Sequence, residues 1–199
     1  MIVCRSIKLL FTHVPKTGGS AVTAALVPYI DKKMRRGVGE RGWQPPLHEI
    51  GNMHAPWESV RDEAMSFFAQ GFRLIAAHRS PYERVASLYH KKMELPGKDR
   101  TIEVFAEDAD KANAWWLQQA VDVAGPDVCY WMRYTHLEED LCYFLGKLGV
   151  TEIPPMVYTN VTENKRPAYE VLTPRAVEII RERFADDIKM FGYEPPEKP

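Results

Sequence analysis

The chain has 199 residues, 45% of them hydrophobic, with 26 Lys and Arg against 27 Asp and Glu for a net charge of −1. That is enough apolar material for one sizeable core, read as a single α/β domain over residues 1–199. The near-neutral balance excludes a broad basic field for nucleic acid or an anionic membrane surface, and three scattered cysteines (Cys4, Cys129, Cys142) suggest neither a disulfide framework nor a zinc site.

In chain order, Ile7 to Val14 reads as a strand, and its apolar run Ile7 to Phe11 is too short for a signal-peptide core or a bilayer span. A soluble, cytoplasmic protein with no membrane partner is the expectation. Ser20 to Ile30 reads as a helix that Pro28 should disturb or end. Gly37, Gly39, Gly42, Pro45 and Pro46 make 31–56 a loop or broken segment, and the basic run Lys32–Arg36 within it reads as a solvated helix end. Trp57, Val60, Ala64, Phe67 and Phe68 fall on one side of a helix over 57–69. Phe72 to His78 is a short apolar run typical of a buried strand, and Ser80-Pro81-Tyr82-Glu83 predicts a capping box that opens a helix to about residue 93. Leu95-Pro96-Gly97 breaks the chain before a helical stretch over 101–120. A strand over 127–134 and a helix over 137–148 follow, then a loop at Pro154-Pro155. Pro174 starts a last helix whose core stripe is Val177, Ile180, Phe184, Ile188 and Phe191. The fold class is therefore α/β: a P-loop-like parallel sheet of about three to five strands flanked by helices, with ligands at the carboxyl ends of the strands.

Chemistry concentrates in two places. Phe11-Thr12-His13-Val14-Pro15-Lys16-Thr17-Gly18-Gly19-Ser20 joins a strand to a helix N-terminus through a Gly-Gly turn, which presents free backbone N–H groups and a positive dipole end to an anion. The P-loop of ATPases and GTPases places its lysine and hydroxyl after the glycines; here Lys16 and Thr17 precede Gly18 and Gly19. The pattern is that of an anion-binding nucleotide site other than the ordinary ATP or GTP one. The second place is His78-Arg79-Ser80-Pro81-Tyr82-Glu83-Arg84-Val85-Ala86-Ser87. Arg79 ahead of the helix and Ser87 about two turns inside it can grip one phosphate from two sides.

These motifs resemble the 5′-phosphosulfate and 3′-phosphate loops of sulfotransferases that use 3′-phosphoadenosine 5′-phosphosulfate (PAPS), most of all the carbohydrate branch typified by heparan sulfate 2-O-sulfotransferase and its small bacterial relatives. His13 to Ser20 is similar to their V-P-K-T loop, and Arg79 to Ser87 to their R-x-P-x-E-R-x-x-S helix. Arg133 to Leu141 resembles their E-x-L-x-x-D-L segment, with Thr135-His136 where a glutamate is common. Phe184 to Tyr193 resembles their closing D-x-x-x-F-G-Y helix. The resemblance implies PAPS as donor and a hydroxyl acceptor, carbohydrate or small molecule, for in-line transfer of a sulfuryl group.

Sulfuryl transfer needs positioning, a cation at the leaving oxygen and a base for the acceptor proton, and it demands no metal. Lys16 is the natural cation. Gly18 and Gly19 allow close backbone approach, while Thr17 and Ser20 add hydroxyl and amide donors. The resemblance places the base in a short Gly-His segment between the first helix and the 3′-phosphate strand, which here gives His54 in Gly51-Asn52-Met53-His54. His48 is the nearest rival, followed by Glu49 or Glu58. His13 is expected to shape the cradle. Thr159 to Pro167 lies where relatives close over the nucleotide, so Lys165 or Arg166 can add charge to the 3′-phosphate. Two other readings stay open: a P-loop-type nucleotide kinase, and a non-catalytic nucleotide-binding protein on the same fold. A binding comparison of adenosine 3′,5′-bisphosphate in EDTA with ATP plus Mg²⁺ separates the kinase from the rest.

Overall fold

Side chains alternate across a small sheet so that each strand feeds two cores, and this alternation organises the first part of the structure. The structure is a computed structural model that describes residues 1–31, 57–93, 100–109, 127–152, 155–157 and 165–198. His48, Glu49 and His54 lie outside the described residues. Strands β1 (Ile2–Cys4), β2 (Leu9–Thr12), β3 (Arg73–His78) and β4 (Cys129–Arg133) lie in that order in one sheet. Strands β2, β3 and β4 are mutually parallel, while β1 runs antiparallel to β2.

The parallel strands answer the sequence reading; the antiparallel edge strand is a departure from it. β1 is too short to carry a pattern. A 3-10 turn over Arg5–Ile7 and a left-handed Lys8 (φ 50°) fold it back onto β2, which also moves the start of β2 from residue 7 to Leu9. The sheet is therefore mixed, and mostly parallel.

Contacts divide the chain into two compact units: Met1–His78 with Trp116–Thr159, and Arg79–Trp115 with Asn160–Pro199. In the first, Leu9, Phe11, Ile75 and Ala77 point to one face of the sheet. There they pack against Ala21, Val22 and Leu26 of α1 (Gly19–Leu26) and against Leu141 and Leu145 of α5 (Leu137–Lys147). Leu10, Leu74 and Ala76 point to the other face, against Val60 and Ala64 of α2 (Trp57–Ala69). Burial on both faces is why β2 reads as a continuous apolar run. After Leu26 the chain tightens into a 3-10 turn at Val27–Tyr29, since Pro28 has no N–H to continue an α-helix.

The second unit is helical among the described residues: α3 (Pro81–Met93), α4 (Ile102–Asp108), α6 (Ala168–Val171), α7 (Pro174–Arg183) and α8 (Ala185–Phe191). Tyr82, Val85, Phe105, Ile179, Ile180 and Phe184 form the centre of its core. Thr173 caps α7 by accepting the Ala176 N–H at 3.1 Å, and Pro174 opens the first turn. The single long C-terminal helix of the sequence reading is two helices. The chain leaves helical geometry at Phe184 (φ −117°, ψ 28°), so Val177 and Ile188 pack only at the edge of the core and Phe191 is half-exposed. The break brings Asp187 inward instead. It is buried with its carboxylate 3.5 Å from the Arg84 guanidinium, which also lies over the Phe184 ring.

Candidate active site

Register places the ends of the three parallel strands at one edge. Thr12 pairs with Ala76, and His78 with Arg133. The loop that leaves β2 at this edge holds two residues in the left-handed region, Lys16 (φ 64°) and Gly18 (φ 80°). Positive φ is unusual for a lysine and costs of order 1 kcal/mol, so the surrounding fold must hold it there. Turns of this kind gather successive backbone N–H groups into an anion-binding concavity. The loop is fastened from inside. Thr17 is fully buried and donates its hydroxyl hydrogen to the Val14 carbonyl at 2.8 Å. The Gly18 carbonyl starts α1 by accepting from Ala21 and Val22, and the Thr23 hydroxyl donates to the Gly19 carbonyl at 2.7 Å. Thr17 thus braces the loop with its side chain. Ser20, the second residue of α1, is half-exposed.

Both glycines are demanded by close approach. A Cβ on Gly18 would run into the Leu137 side chain and reach within 3.6 Å of the Tyr134 ring; one on Gly19 would enter the His13 ring. His13 stacks on Phe11 with ring centroids 6.2 Å apart and lies against Gly19. Gly19→Ala should therefore cost about 1–3 kcal/mol of stability, the usual penalty for overpacking. The cost should be much smaller in a His13→Ala background, because the ring in the way is gone. Denaturation midpoints of the four proteins test this; equal losses in both backgrounds would place the glycine's role elsewhere.

Beyond the loop, the end of β4 is locked by a group the sequence reading passed over. Asp140 is buried and accepts from the Arg133 backbone N–H at 2.7 Å and from its guanidinium at 3.1 and 2.6 Å. These bonds, the side-chain one first, hold the Asp140 carboxyl below its ordinary range against its own burial. The signal was present: residues 137, 140, 141 and 144 make one helical stripe, and Asp140 is its only polar member. At the end of β3, burial is the main cause that lowers the His78 pKa to about 4, helped by Arg133 and opposed by Asp140. Its imidazole is neutral at pH 7.

In the second unit, Arg79 is buried at the entry to α3, with its Nη2 2.8 Å from Glu83 Oε2. The expected capping-box glutamate thus holds an arginine. The helix starts by donation from the Arg84 N–H to the Ser80 carbonyl at 2.9 Å. Ser87 is buried two turns along, with Arg84 on the same face. The segment at Lys165 returns to this helix: His90 Nε2 lies 3.1 Å from the Arg166 carbonyl, a bond that puts the ring proton on Nε2. The Lys165 ammonium is lowered by desolvation and then by the Arg79 charge, with Glu83 opposing. Arg79, Glu83 and Lys165 therefore share one electrostatic neighbourhood, whereas Arg166 is tied to α3 through its backbone.

A glycine turn with its lysine ahead of the glycines thus stands at the carboxyl edge of the parallel strands of a mostly parallel sheet. A model of the sulfotransferase family matches residues 1–194, which takes in both units, and the chain belongs to that family. It is a transferase, and its acceptor is a hydroxyl. Neither a search of curated proteins nor one of solved structures gives a match. The family match lends no support to a nucleotide kinase or a non-catalytic binding protein. Among the described residues, no helix is long and apolar enough to cross a membrane.

Proposed function

We propose that the donor is PAPS, with the Lys16 to Ser20 loop taking the 5′-phosphosulfate and Arg79, Ser87 and Lys165 taking the 3′-phosphate. The observation that carries this reading is the left-handed Lys16 two residues before the left-handed Gly18, between β2 and α1, a kind of turn that gathers backbone N–H groups toward an anion. The donor set fits the ligand, since every group named is a cation, a hydroxyl or a backbone N–H. In the reaction the acceptor oxygen bonds to sulfur while the bond from sulfur to the bridging oxygen breaks. Adenosine 3′,5′-bisphosphate departs, and the acceptor proton passes to a base, assigned to His54. Lys16 balances charge on the bridging oxygen, and Thr17, Gly18, Gly19 and Ser20 orient the phosphosulfate. Arg166 adds to the field at the 3′ end. A carbohydrate hydroxyl is the proposed acceptor, on the strength of the resemblance of the two motifs.

Calorimetric titration in EDTA tests the donor assignment. Arg79→Ala should weaken adenosine 3′,5′-bisphosphate by about 1.5–3 kcal/mol, the scale of a charged hydrogen-bonded contact. The same change should barely alter adenosine 5′-monophosphate, which lacks the group Arg79 would hold, so the two losses should be non-additive. Equal weakening of both nucleotides would remove Arg79 from the 3′ site.

A further inference from the structure

Two arginines open helix α3, and each has a carboxylate of a different kind. Arg84 faces Asp187, which is 4% exposed and held in the core of its unit. Arg79 faces Glu83, whose side chain is 45% exposed although the arginine side chain it binds is 8% exposed. Asp187 is a built-in counter-ion. Glu83 sits one helical turn from Arg79 on a long side chain that can swing into solvent, so it is a counter-ion that another anion can displace. Among the described residues, two further titratable groups from other segments lie near Arg79. Lys165 lies in the field of both Arg79 and Glu83, and Tyr193, beyond the end of α8, lies in the field of Asp187, Arg84 and Arg79.

We propose that Glu83 is a displaceable competitor of the nucleotide's 3′-phosphate for Arg79, which weakens the grip on the product and keeps small anions out of the site. This rests on the assignment of the 3′-phosphate to Arg79 made above. A phosphate monoester carries close to two negative charges and three acceptor oxygens, enough to take the guanidinium from a single carboxylate; chloride or a ribose hydroxyl is not. Each binding event then includes the release of Glu83 from Arg79, and each product departure includes its return. Specificity of this kind acts by making the wrong ligand face an occupied arginine. Product release limits many transferases, so a counter-ion that re-forms as the phosphate leaves favours turnover.

The experiment compares Glu83→Gln with the wild type, since glutamine keeps an acceptor for Arg79 and removes the charge. Calorimetry should show adenosine 3′,5′-bisphosphate binding about fivefold tighter, the effect of removing one partly screened charged competitor. Adenosine 5′-monophosphate should be unchanged, and inorganic phosphate should compete with the bisphosphate at lower concentration than in the wild type. Stopped-flow dissociation of the bisphosphate should slow in proportion. Weaker bisphosphate binding in Glu83→Gln would make Glu83 a support for Arg79 and overturn the proposal, as would equal tightening of the monophosphate. Arg79→Ala run in parallel separates the two layers. If it leaves bisphosphate affinity intact, the 3′-phosphate assignment falls. If it weakens binding while Glu83→Gln changes nothing, only the competitor role falls.

Discussion

Lys16→Ala should lower turnover at saturating donor by about 10²–10³-fold, the range for removing one preorganised group that stabilises transition-state charge. Bisphosphate affinity should change much less, because the lysine is assigned to the bridging oxygen, where charge develops as the bond to sulfur breaks. The backbone allows a clean comparison. Lysine and alanine carry the same Cβ, so the strain at φ 64° persists in the variant and the loop loses only the ammonium and its stem. Lys16→Gly relieves that strain and also lacks the ammonium, so it should be as slow as Lys16→Ala although more relaxed. Steady-state rates and product titrations on the three proteins decide the matter. A variant that loses affinity yet keeps its turnover at saturation would reduce Lys16 to a tether.

The second large effect belongs to His54. His54→Ala should reduce turnover by roughly 10²–10⁴-fold, the usual span for a general base, with bisphosphate binding nearly unchanged. The wild-type rate should also fall as the pH drops through the range in which an imidazole takes up a proton, since only the neutral ring accepts one from the acceptor. His78 does not confuse that limb: its pKa of about 4 keeps it neutral until far lower pH. His48→Ala measured alongside tests the nearest rival. Collapse in His48→Ala with near-normal turnover in His54→Ala would transfer the role, and survival of both would point to a carboxylate.

Local sequence was enough wherever one element's own periodicity or punctuation set the outcome. Helices Trp57–Ala69 and Pro81–Met93 run as spacing and the Ser80-Pro81 start predict, and β3 follows its apolar run to within a residue. The order of strand, glycine turn and helix from Leu9 to Leu26 was equally legible, because the glycines and the change of period are adjacent in the chain. β1 was not, since three residues carry no period and only pairing with β2 makes them a strand. Nor was the break at Phe184, where a continuous apolar stripe gives way to the burial of Asp187 beside Arg84, more than a hundred positions earlier in the chain.

The candidate site divides along the same line. That Lys16, Gly18 and Gly19 make a turn between a strand and a helix is legible from residue types a few positions apart. That Thr17 turns its hydroxyl to Val14 and that His13 requires a glycine at 19 are contacts made within the loop once it closes, whereas the demand of Tyr134 and Leu137 for a glycine at 18 follows from packing between segments distant in sequence. The burial of one member of each local charge pair belongs to this second group as well. Glu83 reads as a capping residue in a string of letters and becomes the counter-ion of a buried arginine in the fold. Asp140 reads as one of three acidic residues in a first helical turn and becomes the lock on the end of β4. The physical reason is common to all of them: conformational preference is a short-range property of the chain, whereas burial and the choice of counter-ion depend on neighbours that only folding supplies.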